Sequence, residues 1–145
     1  MKYTLLICLS ITLFKGCSQE FKGELLESVR YSASTRGYYF EIVASSEYLM
    51  IKNDRNLKAY DRNPISQNDW NEIIDLLKKI DIYTLENIET ETVKSSTDRA
   101  AMAELSIHYD QEEYNTNLFD EGSPPKAIES LINKLLVMAE SVERQ

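Results

Sequence analysis

The chain is short of the residues that most catalytic and metal-site chemistry requires. Its 145 residues include one histidine, His108, so any acid–base reading starts there, and a zinc site would have one imidazole at most. The four glycines are scattered at 16, 23, 37 and 122 and make no phosphate-cradling loop, which argues against nucleotide chemistry. Both cysteines, Cys8 and Cys17, fall within the first seventeen residues. From Ser18 onward the chain therefore has no disulfide, no cysteine nucleophile and no thiolate metal site. Positive charge is scarce too. Lys and Arg number 16 against 24 Asp and Glu, for a formal charge of −8, a balance that repels phosphate backbones and anionic headgroups. No cofactor and no nucleic-acid partner is expected. The apolar run of residues 4–14 is eleven residues long, too short for a bilayer core that takes roughly twenty.

That run suits export instead. Met1-Lys2 is a positive start, residues 4–14 are an apolar core, Gly16 is a small residue at the cut, and Ser18-Gln19-Glu20 opens a polar tail. This is the order of a secretory signal peptide. With Cys17 directly after the cut, the stretch resembles the signal of a bacterial lipoprotein. The resemblance implies a diacylglyceryl group on the Cys17 sulfur, cleavage just before it, and fatty acylation, as by palmitate, of the new amine. Cys17 is then the first mature residue and the anchor to the membrane, with each buried methylene adding about 0.8 kcal/mol. Gly16 fits the cleavage box, whereas Phe14 and Lys15 depart from its usual aliphatic and small positions. Two other readings stand beside this one. An ordinary secreted protein would carry Cys17 as a free thiol in an oxidising compartment, and a transmembrane segment would need more length. Ser18 after the cysteine, where aspartate would mark another fate, resembles outer-membrane sorting. The expected location is the cell envelope, lipid-anchored, at the outer membrane in preference to the inner.

Removing residues 1–16 leaves 129 residues, enough for one domain, and the loss of Lys2 and Lys15 takes the formal charge from −8 to −10. Residues 17–24 read as lipidated cysteine and tether, 25–140 as a single domain, and 141–145 as a frayed tail. Val29, Tyr31 and Ala33 alternate with Ser28, Arg30 and Ser32, the period of a half-buried strand. Gly37, free to take a positive φ, marks a turn or bulge. Further strands are predicted over 38–44, 48–52 and 57–60. Ser66 opens a helix as its cap, with Asp69 three residues on, and Trp70, Ile73, Ile74, Leu77 and Ile80 form its apolar stripe. Residues 86–98 are polar and read as a long loop. Strands 101–109 and 113–119 make a hairpin about residues 110–112. Ser123 is expected to cap a last helix with Pro124 at its first position, and Ile128, Leu131, Ile132, Leu135 and Ala139 form its stripe. The order ββββ-α-ββ-α predicts an α+β fold: one mostly antiparallel sheet of about six strands with both helices on one face.

His108 shares a strand face with Glu104, Ser106 and Asp110, a grouping that suggests a catalytic triad. Neighbours two apart on a strand stand about 6.7 Å apart, whereas a nucleophile and its base need roughly 3 Å. A polar, solvated face is the better reading, and no catalytic residue is assigned. Asp110, Glu112 and Glu113 cluster near one turn but lack the spacing and central glycine of a calcium loop, so no metal site is assigned either. The lone Trp70 reads as a core anchor. Nine tyrosines are many for this length, and Tyr31, Tyr38, Tyr39 and Tyr48 sit with Phe40 in the first three predicted strands. Those on the outer face suit contact with protein or glycan. Tyr38, Tyr39 and Arg36 are the candidate binding residues.

Residues 31–37, the run 119–125 with its Pro124-Pro125 pair, and the final helix resemble small, uncharacterised bacterial envelope lipoproteins. In those proteins a strand with an Arg-Gly turn precedes a Trp-containing helix. The likeness covers most of residues 25–138 and brings no known activity. The order of elements is also similar to emfourin-type inhibitors of thermolysin-like metallopeptidases, which combine a glycine turn, a hairpin and a Pro-led terminal helix. The function expected is that of a lipid-anchored envelope protein whose non-catalytic domain binds another envelope protein. A metallopeptidase inhibitor and a glycan-binding module are the alternatives.

Overall fold

The computed structural model of the protein describes residues 20–56, 62–90 and 101–144. The sheet is built outward from β1, Leu26–Ser34, which has a strand on each side. Its side chains alternate, with Val29, Tyr31 and Ala33 buried and Ser28, Arg30 and Ser32 on the other face. β2 (Tyr39–Ser45) pairs with it on one side and β5 (Met102–Tyr109) on the other, in registers that keep the buried set together: Tyr31 lies opposite Ile42 and Leu105. β3 (Tyr48–Lys52) and β4 (Arg62–Pro64) extend the sheet past β2, and β6 (Glu112–Asn115) and β7 (Phe119–Asp120) both pair with β5. The strand order is β4-β3-β2-β1-β5-β6, every pairing is antiparallel, and the fold is the expected α+β sheet with seven strands among the described residues.

Both helices bury their stripes against the same face. α1 spans Gln67–Leu77, and its Ser66 cap accepts the Asp69 amide, as the sequence indicates. Trp70, Ile73 and Leu77 are buried in the same cluster as Ile42, Ala44 and Leu105, so Trp70 is a core anchor. α2 spans Lys126–Glu143 and contributes Ile128, Leu131, Ile132, Leu135 and Ala139, all buried.

Several boundaries differ from expectation, each for a local reason. The last helix starts two residues late, with Pro125 as an extended N-cap that has no side-chain bond. A residue before proline avoids the helical region, so Pro124 cannot open the helix that Pro125 follows. Among the described residues the positive-φ glycine is Gly122, at φ 80°; Gly37 turns without it. The hairpin turn consists of Asp110 and Gln111 alone, both left-handed at φ 50° and 65°, and Glu112 already belongs to β6. Two left-handed central residues match the twist of the flanking strands. The strand expected over 113–119 breaks at Thr116. There the Thr116 hydroxyl accepts the Leu105 amide at 3.1 Å while its own amide donates to the Leu105 carbonyl at 3.0 Å. Glu86 and Asn87, expected in a long loop, close a 3-10 segment, Ile82–Asn87, whose Asp81 cap accepts the Tyr83 amide. The strand expected over 57–60 and the loop residues 91–98 lie outside the described residues. So do Cys17 and the signal.

Order also begins earlier than Leu25. Phe21 stacks on Tyr109 with ring centroids 4.9 Å apart, and a 3-10 turn, Gly23–Leu25, leads into β1.

Candidate functional site

Because both helices cover one face, the other face of the sheet displays the alternate side chains of each strand. Register places Met50, Val43, Arg30, Ser106 and Asn115 in one row across five strands. Lys52, Glu41, Ser32 and Glu104 form the next row.

Arg30 is the centre of the polar group on this face. Its Nη2 donates to the Ser106 Oγ at 3.0 Å and to the Glu113 Oε1 at 2.8 Å. The His108 Nε2 stands 3.4 Å from the same Glu113 oxygen. Ser106 is 1% exposed and its only described partner is Arg30, so the hydroxyl is closed off and the sheet does not pair it with His108. Arg30 Nε and Asn115 Oδ1 are buried; among the described residues the first finds no acceptor and the second no donor. Among the described residues, no three His, Cys, Asp or Glu side chains converge to hold a metal ion.

Toward β3 and β4 the face becomes aromatic and basic. Tyr39 lies under two cations, with the Lys52 Nζ 5.6 Å and the Arg55 guanidinium 5.4 Å from its ring centre. The Arg62 guanidinium lies 4.5 Å over the Tyr48 ring. A guanidinium held over a ring keeps N–H groups for a carboxylate; the Arg55 Nη2 also donates to the Thr35 carbonyl at 3.5 Å. Neither Arg55 nor Arg62 has an acidic partner among the described residues. The Tyr39 hydroxyl donates to the Glu41 Oε2 at 2.8 Å; burial and this carboxylate push its pKa up to about 12.

The expected binding residues separate. Tyr39 is on the open face, half-buried under its cations. Tyr38 points the other way, is 43% exposed, and donates to the Glu121 Oε1 at 2.8 Å. Burial and Glu121 push its pKa up to about 12. Arg36 is exposed in the β1–β2 turn at the far end of the sheet. Sequence reasoning missed Arg30, Tyr48, Arg55 and Arg62 as a group. The available signal was the alternation that puts Arg30 and Tyr39 outward, but the cation–ring pairs depend on which strands adjoin.

Beside the face, a polar cleft of about 410 Å³ runs between the 3-10 segment and β6, lined in part by Tyr83, Glu86, Glu113, Asn115 and Asn117. Tyr83 and Tyr114 meet edge-to-face at 5.3 Å, and the Asn117 amide donates to the Glu86 carbonyl at 2.6 Å. The cleft shares Glu113 and Asn115 with the Arg30 group.

No family model matches this chain, and no curated protein does. Among the described residues no helix is long and apolar enough to cross a membrane.

Proposed function

We propose that this protein is an exported, lipid-anchored envelope protein whose non-catalytic domain binds another envelope protein through the open face of its sheet. The supporting observation is the pair of arginines, Arg55 and Arg62, held over Tyr39 and Tyr48 with no acidic partner among the described residues. In a chain of net charge −8, two guanidiniums with no ion pair among the described residues suit acidic side chains of a partner. Aromatic and arginine side chains are also the types enriched where interfaces draw their affinity. Anchoring rests on the signal pattern that ends at Cys17.

The test uses the full-length, C-terminally tagged protein, solubilised with the envelope, beside an Arg55→Ser, Arg62→Ser double variant. Both arginines are exposed, so the variant should fold, which circular dichroism checks. A protein recovered at near-equal stoichiometry with the native chain and lost with the variant supports the reading. Equal recovery by both removes this face from the interaction. A polysaccharide recovered in its place moves the reading to a glycan-binding module. Cys17→Ala should abolish labelling by a radioactive fatty acid, and retained label ends the anchoring claim.

A further inference from the structure

At one end of the sheet, residues 21–25 are fastened to β5, the turn after it and α1 by four separate contacts. Phe21 stacks on Tyr109 with ring planes 24° apart. The Lys22 amide donates to the Tyr109 hydroxyl at 2.9 Å. Gly23 lies so close to α1 that a Cβ there would stand 2.9 Å from the Ile74 Cγ2. The Leu25 carbonyl accepts the Asp110 amide at 3.0 Å. This is the end where β1 begins and β5 stops, and it carries the Ser46-Glu47 and Asp110-Gln111 turns. The Gln111 amide donates to the Glu27 Oε1 at 2.8 Å, which ties the second turn to the start of β1.

Only Ser18, Gln19 and Glu20 separate Phe21 from Cys17. Fully extended, the four peptide links from Cys17 to Phe21 span about 14 Å. We infer that this end of the sheet is the membrane-facing surface of the domain, an inference that rests on the proposed lipid anchor at Cys17. β1 runs nine residues away from it, about 26 Å at a rise of ~3.3 Å per residue, and carries the Arg36-Gly37 turn outward. The open face follows the strands, so it stands beside the bilayer, all of it within about 40 Å of the surface. The partner it fits is a membrane-bound protein on the same side of the same membrane. The short tether, not charge, holds this end to the bilayer: Glu24, Glu27, Glu47, Asp110 and Glu112 outnumber Lys22 and Arg62 there, so anionic headgroups do not draw it in.

The test uses the full-length lipidated protein in vesicles whose lipids carry a headgroup nitroxide. A fluorophore is attached at Ser46→Cys or at Gly37→Cys. Both positions are exposed, and a Cβ at Gly37 meets nothing within 4 Å. The Cys17 sulfur is capped by lipid and the mature chain has no other thiol. Both proteins should float with the vesicles. The Ser46 probe should lose most of its emission and the Gly37 probe should keep most of it. Equal quenching, as for a domain lying flat on its sheet, or stronger quenching at Gly37 overturns the inference while leaving the anchor intact. Failure to float, with no fatty-acid label, overturns the anchor itself and the inference with it. A Gly-Ser insert of about twelve residues after Ser18, reaching ~40 Å further, should level the two signals. A difference that survives the insert shows that tether length is not what orients the domain.

Discussion

Thr116 does the work of a backbone. Where β6 ends, its hydroxyl accepts the Leu105 amide and its amide reaches the Leu105 carbonyl, so the ladder of β5 stays satisfied across an irregular step. Thr116→Val keeps the shape and removes the acceptor, leaving a buried N–H unpaired. The expected cost is about 1–3 kcal/mol, read from the urea midpoint at unchanged slope. An unchanged midpoint would show that the Leu105 amide finds another partner. Nothing in the sequence near Thr116 reveals this role, because the group it satisfies is eleven positions away on another strand. Ser66 is the opposite case. Its partner Asp69 is three residues on, and a cap bond at that spacing is readable from the chain alone. Arg30 resembles Thr116, since its partners Ser106 and Glu113 come from two strands far along the chain.

At the scale of elements, α1 and α2 are joined across their polar edges by Lys134. Its Nζ donates to the Asp69 Oδ1 at 2.7 Å and to the Glu72 carboxylate. The lysine is largely buried and both acceptors are partly exposed, so solvent screens the pair. Lys134→Met should cost about 1 kcal/mol in the same measurement. It should also flatten the acid limb of stability. Hydrogen bonds from Lys134 and Ser66 hold the Asp69 carboxyl below its usual 3.8, so the stability it contributes is complete above that value and lost as pH falls below it. A variant with an unaltered acid limb would assign the shift to Ser66 alone. The N-terminal clamp is a second element-scale case. Phe21→Ala removes an aromatic pair of about 0.5–1.5 kcal/mol and should make the chain at Lys22 sensitive to trypsin while the sheet stays folded. Equal resistance in both proteins would mean that the backbone bonds of Lys22 and Leu25 suffice. The helix stripes were legible because 3.6-residue spacing is a local property. The late start of α2 was legible too, in the Pro124-Pro125 pair, once the restriction on the first proline is weighed.

The whole molecule is acidic, yet its least expected pH response lies at the alkaline end. Tyr38 and Tyr39, raised chiefly by burial, and Tyr114, raised chiefly by its bond to Glu112, all ionise near 12 instead of their usual 10.0, and burial raises Tyr31 as well. A group whose folded value is raised contributes stability that is complete below the unfolded value and lost as pH rises through the folded one. Urea midpoints should hold up to about pH 10 and fall steadily toward 12. Ultraviolet titration should show part of the tyrosine set still protonated at pH 10 and ionising around 12. A midpoint that is flat across it would show these hydroxyls to be as solvated in the folded state as in the unfolded.

The sequence by itself determined which residues alternate, which form helical stripes, where a serine caps a helix, and that no thiol follows Cys17. These are properties of neighbours within about one turn or one hairpin, where bond geometry leaves few choices. It also determined which side of each strand faces out, and so put Arg30 and Tyr39 on a surface. Only the tertiary structure decided what lies opposite them. The order β4-β3-β2-β1-β5-β6 brings β1 between its sequence neighbour β2 and the distant β5 and sets Arg30 beside Ser106 and Glu113. Pairing β3 with β4 places Arg62 over Tyr48, and the end of β5 receives Phe21. Such contacts join residues that are distant in sequence. They follow from how strands are ordered to bury a shared face, and hydrophobic alternation specifies that a face is buried without naming its neighbours.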